Sequence, residues 1–307
     1  MTHAFGPLRV ILNPASGQGH LRQRLHALRA ELDQRGVDHE VVQTQGPGHA
    51  TELAREALGQ GWRYIAAAGG DGTVNEGVNG WFDGDKPIND EAVLGVVSSG
   101  SGCDFVRTFG LPGRFDLLAG HLASEDVAPV DVGKIGYHDR DDGETTRLFA
   151  NVANVGWGGE VVRRAHRTPR WLGRVRYLVA AYGAIAAAHR PQARVALAHT
   201  SWERPLVNLV VANGQFFGGG MKVAPRAVPD DDRFNVQLFW GRRSQVFVLT
   251  TRIYRGEHIP HPNIAEHQSP TAVVDAPEAL PIEADGEDLG VTPARFSLLH
   301  QALRLKL

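Results

Sequence analysis

The stretch Trp62-Arg63-Tyr64-Ile65-Ala66-Ala67-Ala68-Gly69-Gly70-Asp71-Gly72-Thr73-Val74-Asn75-Glu76 decides the fold. Its first half is an apolar run of strand length, and its second half opens on paired glycines and continues as a helix start. It therefore predicts a buried strand turning directly into a helix. The same alternation surrounds it. Upstream, LRVILNP (8–14) ends at a turn, and Leu21, Leu25, Leu28 and Leu32 recur at helical spacing until Gly36 stops the helix. HEVVQTQ (39–45) follows as a strand, and a helix runs from His49 to Leu58. Downstream, AVLGVVSSG (92–100) is another strand. Strict strand–helix alternation predicts a doubly wound parallel α/β sheet covered on both faces, with ligands at the carboxyl ends of its strands.

After VAPVDVGKI (127–135) the pattern changes. RLFANVANVG (147–156), ARVALAHT (193–200), RPLVNLVVANG (204–214), RFNVQLFW (233–240), TAVVDAP (271–277) and LPIEADG (280–286) are β-type runs separated by Gly, Pro and Asp clusters. They predict a mainly antiparallel, β-sandwich-like second domain. The domains are read as 1–132 and 133–292, with 293–307 open to returning to the first. One helix, Arg170 to His189, interrupts the second, and HDRDDGETT (138–146) reads as a hairpin loop or an excursion.

A chain of 307 residues is long enough for two cores without staples. Its 42% hydrophobic and 21% charged content and formal charge of −2 describe an ordinary globular protein and argue against wholesale nucleic-acid binding. A single Cys103 suits a reducing compartment. No charged-then-apolar leader pattern precedes the first strand, and the longest apolar stretch, Tyr177 to Ala188, is shorter than the roughly 20 residues of a membrane span. The expectation is a cytoplasmic protein.

Three glycine-bearing turns end three of the strands. The strongest is Gly69-Gly70-Asp71-Gly72-Thr73. Glycines let backbone N–H groups approach a phosphate, a helix start favours anions, and an aspartate among them can hold Mg²⁺ against that phosphate. A plainer reading makes Thr73 the helix cap and Glu76 the partner in a capping box. Ser98-Ser99-Gly100-Ser101-Gly102-Cys103-Asp104-Phe105 offers hydroxyls and amides to phosphate or ribose oxygens, and Asn13-Pro14-Ala15-Ser16-Gly17 is the third turn. The sequence has no GxxxxGK[ST], GxSxG or HExxH motif. The glycine turns also miss GxGxxG, since Asn75 and Phe105 stand at its third position.

Taken in order, these motifs resemble the diacylglycerol kinase catalytic family of bacterial soluble lipid kinases, related to sphingosine and ceramide kinases. The matching elements are Asn13-Pro14-x-Ser16-Gly17, Thr44 before the helix start at Gly48, GGDGTVNE and the turn ending Asp104-Phe105. Later come Asn213-Gly214 with Phe217-Gly218-Gly219-Gly220-Met221, then Ala224-Pro225-Arg226-Ala227, and Asp285-Gly286-Glu287. The resemblance implies an ATP-dependent transferase that moves the γ-phosphoryl group to a lipid hydroxyl, diacylglycerol or a relative, in phospholipid biosynthesis. It implies ATP at Asn13, Pro14, Ala15, Ser16 and Gly17, along Gly69, Gly70, Asp71, Gly72, Thr73, Val74 and Asn75, and at Gly100 and Ser101. Thr44 and Glu76 lie toward the nucleoside. Asp285 and Glu287 are the implied acid–base pair. Mg²⁺ is implied at Asp71, and a structural Mg²⁺ at the Asp231 carboxylate with the carbonyls of Val228 and Arg233.

The chain departs from the family pattern at Ser98, Ser99 and Cys103 in the turn that ends Asp104-Phe105, and at Asp232 and Asn235 near the acidic loop. Asp285-Gly286 also reads simply as a hairpin signal. Arg163, Arg164, Arg167, Arg170, Arg174 and Arg176, interleaved with Trp171 and Tyr177, form the concentrated basic stretch. It reads either as a peripheral contact with the anionic inner face of a membrane or as a solvated helix face. Cys103 reads either as a thiol made reactive by the helix start beside it or, the plainer reading, as a small buried thiol. A homodimer is left open. The rival functions are an NAD kinase-like enzyme, which shares GGDGT, and a non-catalytic nucleotide- or lipid-binding relative.

Overall fold

The computed structural model describes residues 3–98, 103–111, 115–139, 141, 143–168, 183 and 190–307. The chain divides into two compact units, one of Met1–Val132 with Leu299–Leu307, the other of Gly133–Leu298.

The first unit is built on five parallel strands. β1 (Leu8–Leu12), β2 (His39–Gln43), β3 (Tyr64–Gly69) and β6 (Val93–Ser98) are joined by the end of β17 (Glu287–Lys306), in the order β17-β6-β3-β1-β2. Every residue of β3 and β6 is buried, the run expected of strands covered on both faces. α1 (His20–Gln34) packs with α5 (Phe115–Ala123), and α2 (His49–Gly59) packs with α3 (Asp71–Gly80). Leu21, Leu25, Leu28 and Leu32 of α1 are buried in one cluster with Leu8, Val10, Leu12, Tyr64, Val93 and Val97, so the leucine period in the sequence is the face of α1 that covers the sheet. α4 (Asp104–Thr108) follows β6, and a short ribbon, β4 (Phe82–Asp83) with β5 (Lys86–Pro87), follows α3.

Among the described residues, the strands of the second unit pair antiparallel. One run is ordered β14 (Ile264–Ser269), β13 (Phe234–Phe239), β12 (Asn208–Ala212), β9 (Val152–Gly156), β16 (Pro281–Ala284), then β17. β11 (Ser201–Pro205), β10 (Gln192–Leu197) and β15 (Thr271–Asp275) also lead to β17. β7 (Val127–His138) pairs with β8 (Glu144–Phe149) as a hairpin, with His138 opposite Glu144, so the polar segment after His138 is the hairpin loop. Phe149, Val155, Leu209, Phe234, Val236, Val274, Ile282 and Phe296 are buried in one core cluster.

Two helices of this unit were not expected from the sequence. α6 (Trp157–Arg167) begins with two glycines among its first three residues, and α7 (Arg243–Arg255) is rich in β-branched and aromatic residues, so local propensity argued against both. The helix expected over Arg170 to His189 lies outside the described residues, apart from Gly183, which is helical. Among the described residues, no helix is long and apolar enough to cross a membrane.

Candidate functional site

In the first unit the chain runs from β1 outward to β2, then crosses back to β3 on the other side of β1. In sheets of this kind such a reversal marks the usual ligand position, here beyond the carboxyl ends of β1 and β3. The turns after these two strands meet there. Asn13 Nδ2 donates to Thr73 Oγ1 at 3.1 Å, and the Asn13 N–H reaches the Ala68 carbonyl at 2.9 Å. Asn13 Oδ1 accepts the Ala15 N–H at 3.1 Å, which folds residues 13–16 into a compact turn. Gly69 permits this closeness: a Cβ there would lie 2.2 Å from Thr73 Oγ1. Thr44 is buried, its N–H on the Leu12 carbonyl at 2.9 Å.

The capping box between Thr73 and Glu76 does not form. α3 starts after Gly70 with no side-chain cap, and Thr73 Oγ1 is turned to Asn13. The Glu76 carboxylate instead accepts the N–H groups of Gly48 and Ala50 at 2.9 and 3.0 Å, while Thr51 Oγ1 donates to the Glu76 carbonyl at 2.9 Å. It therefore caps α2, whose first N–H groups have no partner within their own helix.

Asp71 plays the matching part for α4. Its carboxylate accepts the N–H groups of Asp104 and Phe105 at 3.1 and 3.0 Å, and the Cys103 thiol donates to it at 3.4 Å. Cys103 is buried, and burial together with the negative charge of Asp71 pushes its thiol well above the ordinary value, so it is not a reactive thiolate. An ionised carboxylate has about four lone-pair positions, and these contacts use three. One metal contact at Asp71 is compatible with that count, since Mg²⁺ in phosphate sites uses one or two carboxylates plus phosphate oxygens and water. Ser99, Gly100, Ser101 and Gly102 lie outside the described residues.

In the second unit Asp285 and Gly286 form the two-residue turn between β16 and β17, with φ of 49° and 86°, the left-handed pair a tight hairpin requires. The hairpin reading is thus structurally right, but it does not exhaust the role of the turn. Asp285 is buried, and its carboxylate accepts three consecutive backbone N–H groups, Ala150 at 2.8 Å and Asn151 and Val152 at 3.0 Å each. Successive N–H groups make an anion-binding concavity, here filled by the protein's own carboxylate. Glu287 is exposed. The two carboxylates are therefore unlike: one is clamped, the other faces solvent.

The glycine-rich segment is tied to the same backbone. Asn151 Nδ2 donates to the Phe216 carbonyl at 2.7 Å, and Asn213 Nδ2 to the Ala150 carbonyl at 2.9 Å. Phe217 and Met221 pair across Gly218, Gly219 and Gly220. In the acidic loop, Asp231 Oδ1 accepts the Arg233 N–H at 3.1 Å, Asp232 has φ of 58°, and Val228, Asp231 and Arg233 are exposed. Among the described residues no three His, Cys, Asp or Glu side chains are grouped to hold a metal ion, so a cation there would rest on Asp231 and carbonyl oxygens.

Arg163 and Arg164, at the start of the basic stretch, both pair with Glu160 on α6, Arg164 Nε at 2.6 Å. Arg170, Trp171, Arg174, Arg176 and Tyr177 lie outside the described residues.

Sequence reasoning missed one residue of the turn. Glu283 is fully buried two positions before Asp285, and its Oε2 accepts the Gly286 N–H at 3.0 Å. An acidic residue in an otherwise apolar strand run, PIEA, was the available signal.

Residues 7–135 match the family described as diacylglycerol kinase catalytic domain, and residues 151–307 match the YegS C-terminal NAD kinase beta sandwich-like domain. A diacylglycerol kinase of Mycobacterium tuberculosis is 29% identical over 99% of this chain and 96% of its own length. A probable lipid kinase YegS-like of Pseudomonas aeruginosa is 28% identical over 98% and 93%. The crystal structure of a putative diacylglycerol kinase from Bacillus anthracis superposes with a TM-score of 0.79 at 23% identity, covering 98% of this chain and 94% of that one, which shows a shared fold.

Proposed function

We propose, from the premise that the chain belongs to the family of kinases built from a diacylglycerol kinase catalytic domain and a YegS-type β domain, that it transfers the γ-phosphoryl group of ATP to the hydroxyl of diacylglycerol or a closely related lipid. The observation that carries the reading is the Gly69–Thr73 turn, which ends β3 at the reversal of strand order and is bonded there to Asn13. The start of α3 offers backbone N–H groups and a favourable dipole to phosphate oxygens. Asn13 to Gly17, Gly69 to Asn75, and Gly100 with Ser101 would contact ATP, with Thr44 near the nucleoside. Glu76 would act by holding the first turn of α2 in place.

Phosphoryl transfer needs positioning and charge neutralisation more than covalent help. Mg²⁺ would supply that neutralisation on the phosphates, with Asp71 as its protein carboxylate. The acidic loop, through Asp231, Val228 and Arg233, would take a second, structural cation. Glu287, the exposed carboxylate of the turn, would accept the lipid hydroxyl proton, and Asp285 would hold the turn against Ala150, Asn151 and Val152. An acceptor of this kind resides in a membrane, so peripheral contact with its anionic inner face through the Arg163 to Arg176 stretch fits the same reading, as does a homodimer.

Incubating the purified protein with labelled ATP, Mg²⁺ and a total lipid extract, followed by mass spectrometry, tests it. Label in a phosphorylated diacylglycerol-class lipid is expected. Label in NAD instead, or ATP binding with no labelled lipid, would overturn it in favour of an NAD kinase-like enzyme or a non-catalytic relative.

A further inference from the structure

Three buried side chains form a row across adjacent strands behind the Asp285–Glu287 turn. Glu283 of β16 stands directly opposite Asn154 of β9, and Asn154 Nδ2 donates to Glu283 Oε1. Asn208 of β12 donates from Nδ2 to Asn154 Oδ1 at 3.0 Å, and its own Oδ1 accepts the Gly158 N–H, in the first turn of α6, at 2.8 Å. At the other end, Glu283 Oε2 accepts the Gly286 N–H at 3.0 Å. Glu283, Asn154 and Asn208 are all buried.

The direction of the row is set from outside it. A backbone N–H can only donate, so Gly158 fixes Asn208 Oδ1 as an acceptor and leaves Asn208 Nδ2 to donate to Asn154. Asn154 must then present its own Nδ2 to Glu283. Gly286 presents a second donor. Two donors thus converge on one carboxyl, the pattern an ionised carboxylate satisfies and an amide does not.

We propose that Glu283, in its ionised form, is a positioning residue of the acid–base turn, pinning the Gly286 N–H and so fixing the direction of the neighbouring Glu287 carboxylate. The proposal rests on the reading of that turn as the acid–base element. Burial pushes the Glu283 carboxyl up to about 8. The hydrogen bonds from Asn154 and Gly286 pull it back, and the charges of Asp285 and Glu287 push it further up. α6, which packs against β16, brings Glu160, to which both Arg163 and Arg164 are paired, and β17 sets Asp288 opposite Glu283 in register. Protonation therefore falls within the working range of an assay, and it removes one acceptor position from the clamp.

The test is a reciprocal exchange. E283Q sets an amide N–H₂ against Asn154 or Gly286, and N154D sets two carboxyls against each other. The double variant E283Q/N154D restores a donor–acceptor match at every contact with the charge unchanged. Turnover with ATP and diacylglycerol is measured at about pH 6 and about pH 9, together with the Gly286 amide resonance in glycine-labelled protein. At about pH 9, E283Q and N154D should each lower kcat on the order of tenfold at unchanged KM for ATP. Both should shift the Gly286 resonance, and the double variant should recover both readouts. At about pH 6 wild type and E283Q should converge. If E283Q does not fold, a folded double variant with near wild-type kcat and resonance supports the proposal by itself. Wild-type kcat and an unshifted resonance in E283Q at about pH 9 would overturn it, and so would a double variant as impaired as the singles. Should wild type phosphorylate no lipid, the proposed function fails, while the Gly286 resonance still decides whether Glu283 clamps the turn.

Discussion

The Glu76 carboxylate closes on Gly48: Oε1 accepts the Gly48 N–H at 2.9 Å, so a residue of α3 caps α2 from 28 positions beyond the α2 N-cap. Oε2 takes the Ala50 N–H at 3.0 Å in the same way. Removing a helix cap costs about 1–2 kcal/mol. Glu76→Ala should lower unfolding stability by about that amount, read as a shift of the urea midpoint at unchanged slope. An unmoved midpoint would show that water replaces the carboxylate at no cost.

Asp71 is tied to the start of α4 by two backbone N–H groups, so its carboxylate contributes to folding as well as to the turn it sits in. Asparagine keeps one acceptor oxygen and turns a donor toward those N–H groups or toward Cys103. Asp71→Asn should therefore lose about 1–2 kcal/mol of stability as well as Mg-ATP affinity. Denaturant unfolding and calorimetry separate the two. A stable variant with weakened Mg-ATP binding would mean the hydrogen bonds are replaceable. A destabilised variant with wild-type affinity would remove Asp71 from the phosphate site.

Glu283 makes stability depend on pH with a definite sign. Its folded value of about 8 exceeds the unfolded 4.5, so the folded chain keeps a proton that the unfolded chain releases. The resulting stabilisation is fully present below the unfolded value and is lost as pH rises toward 8, at up to roughly 1.4 kcal/mol per pH unit. Glu283→Gln does not titrate. The wild-type urea midpoint should fall relative to that of E283Q between about pH 5 and about pH 8, and parallel curves would contradict the assignment.

Much of this was legible in the sequence because its signals are local. The leucine period of α1, the apolar runs of β3 and β6 and the Asp285-Gly286 hairpin signal each follow from the spacing of neighbouring residues. The partners of Asp71, Glu76 and Asp285 were not legible, since each carboxylate caps or clamps backbone remote in sequence, and a local rule assigned Glu76 to its own helix. α7 was hidden for another reason: its run of Val, Phe, Leu, Thr and Ile is strand-like in propensity. Glu283 escaped because a lone acid in an apolar run carries no spacing that marks it.

Asp285 and Glu287 should separate cleanly on mutation. Asp285→Asn turns a donor against the Ala150, Asn151 and Val152 N–H groups and should cost about 2–4 kcal/mol, visible as a lowered urea midpoint, along with activity. Equal stability of Asp285→Asn and wild type would show that the clamp contributes nothing.

The most direct measurement is the turnover of Glu287→Gln with labelled ATP and diacylglycerol, alongside its unfolding midpoint and KM for ATP. Glu287 is exposed, so its amide should leave stability and ATP affinity where they are. Loss of the proton acceptor should lower kcat by roughly 10² to 10⁴. Phosphate transfer to lipid at the wild-type rate by Glu287→Gln would contradict the account.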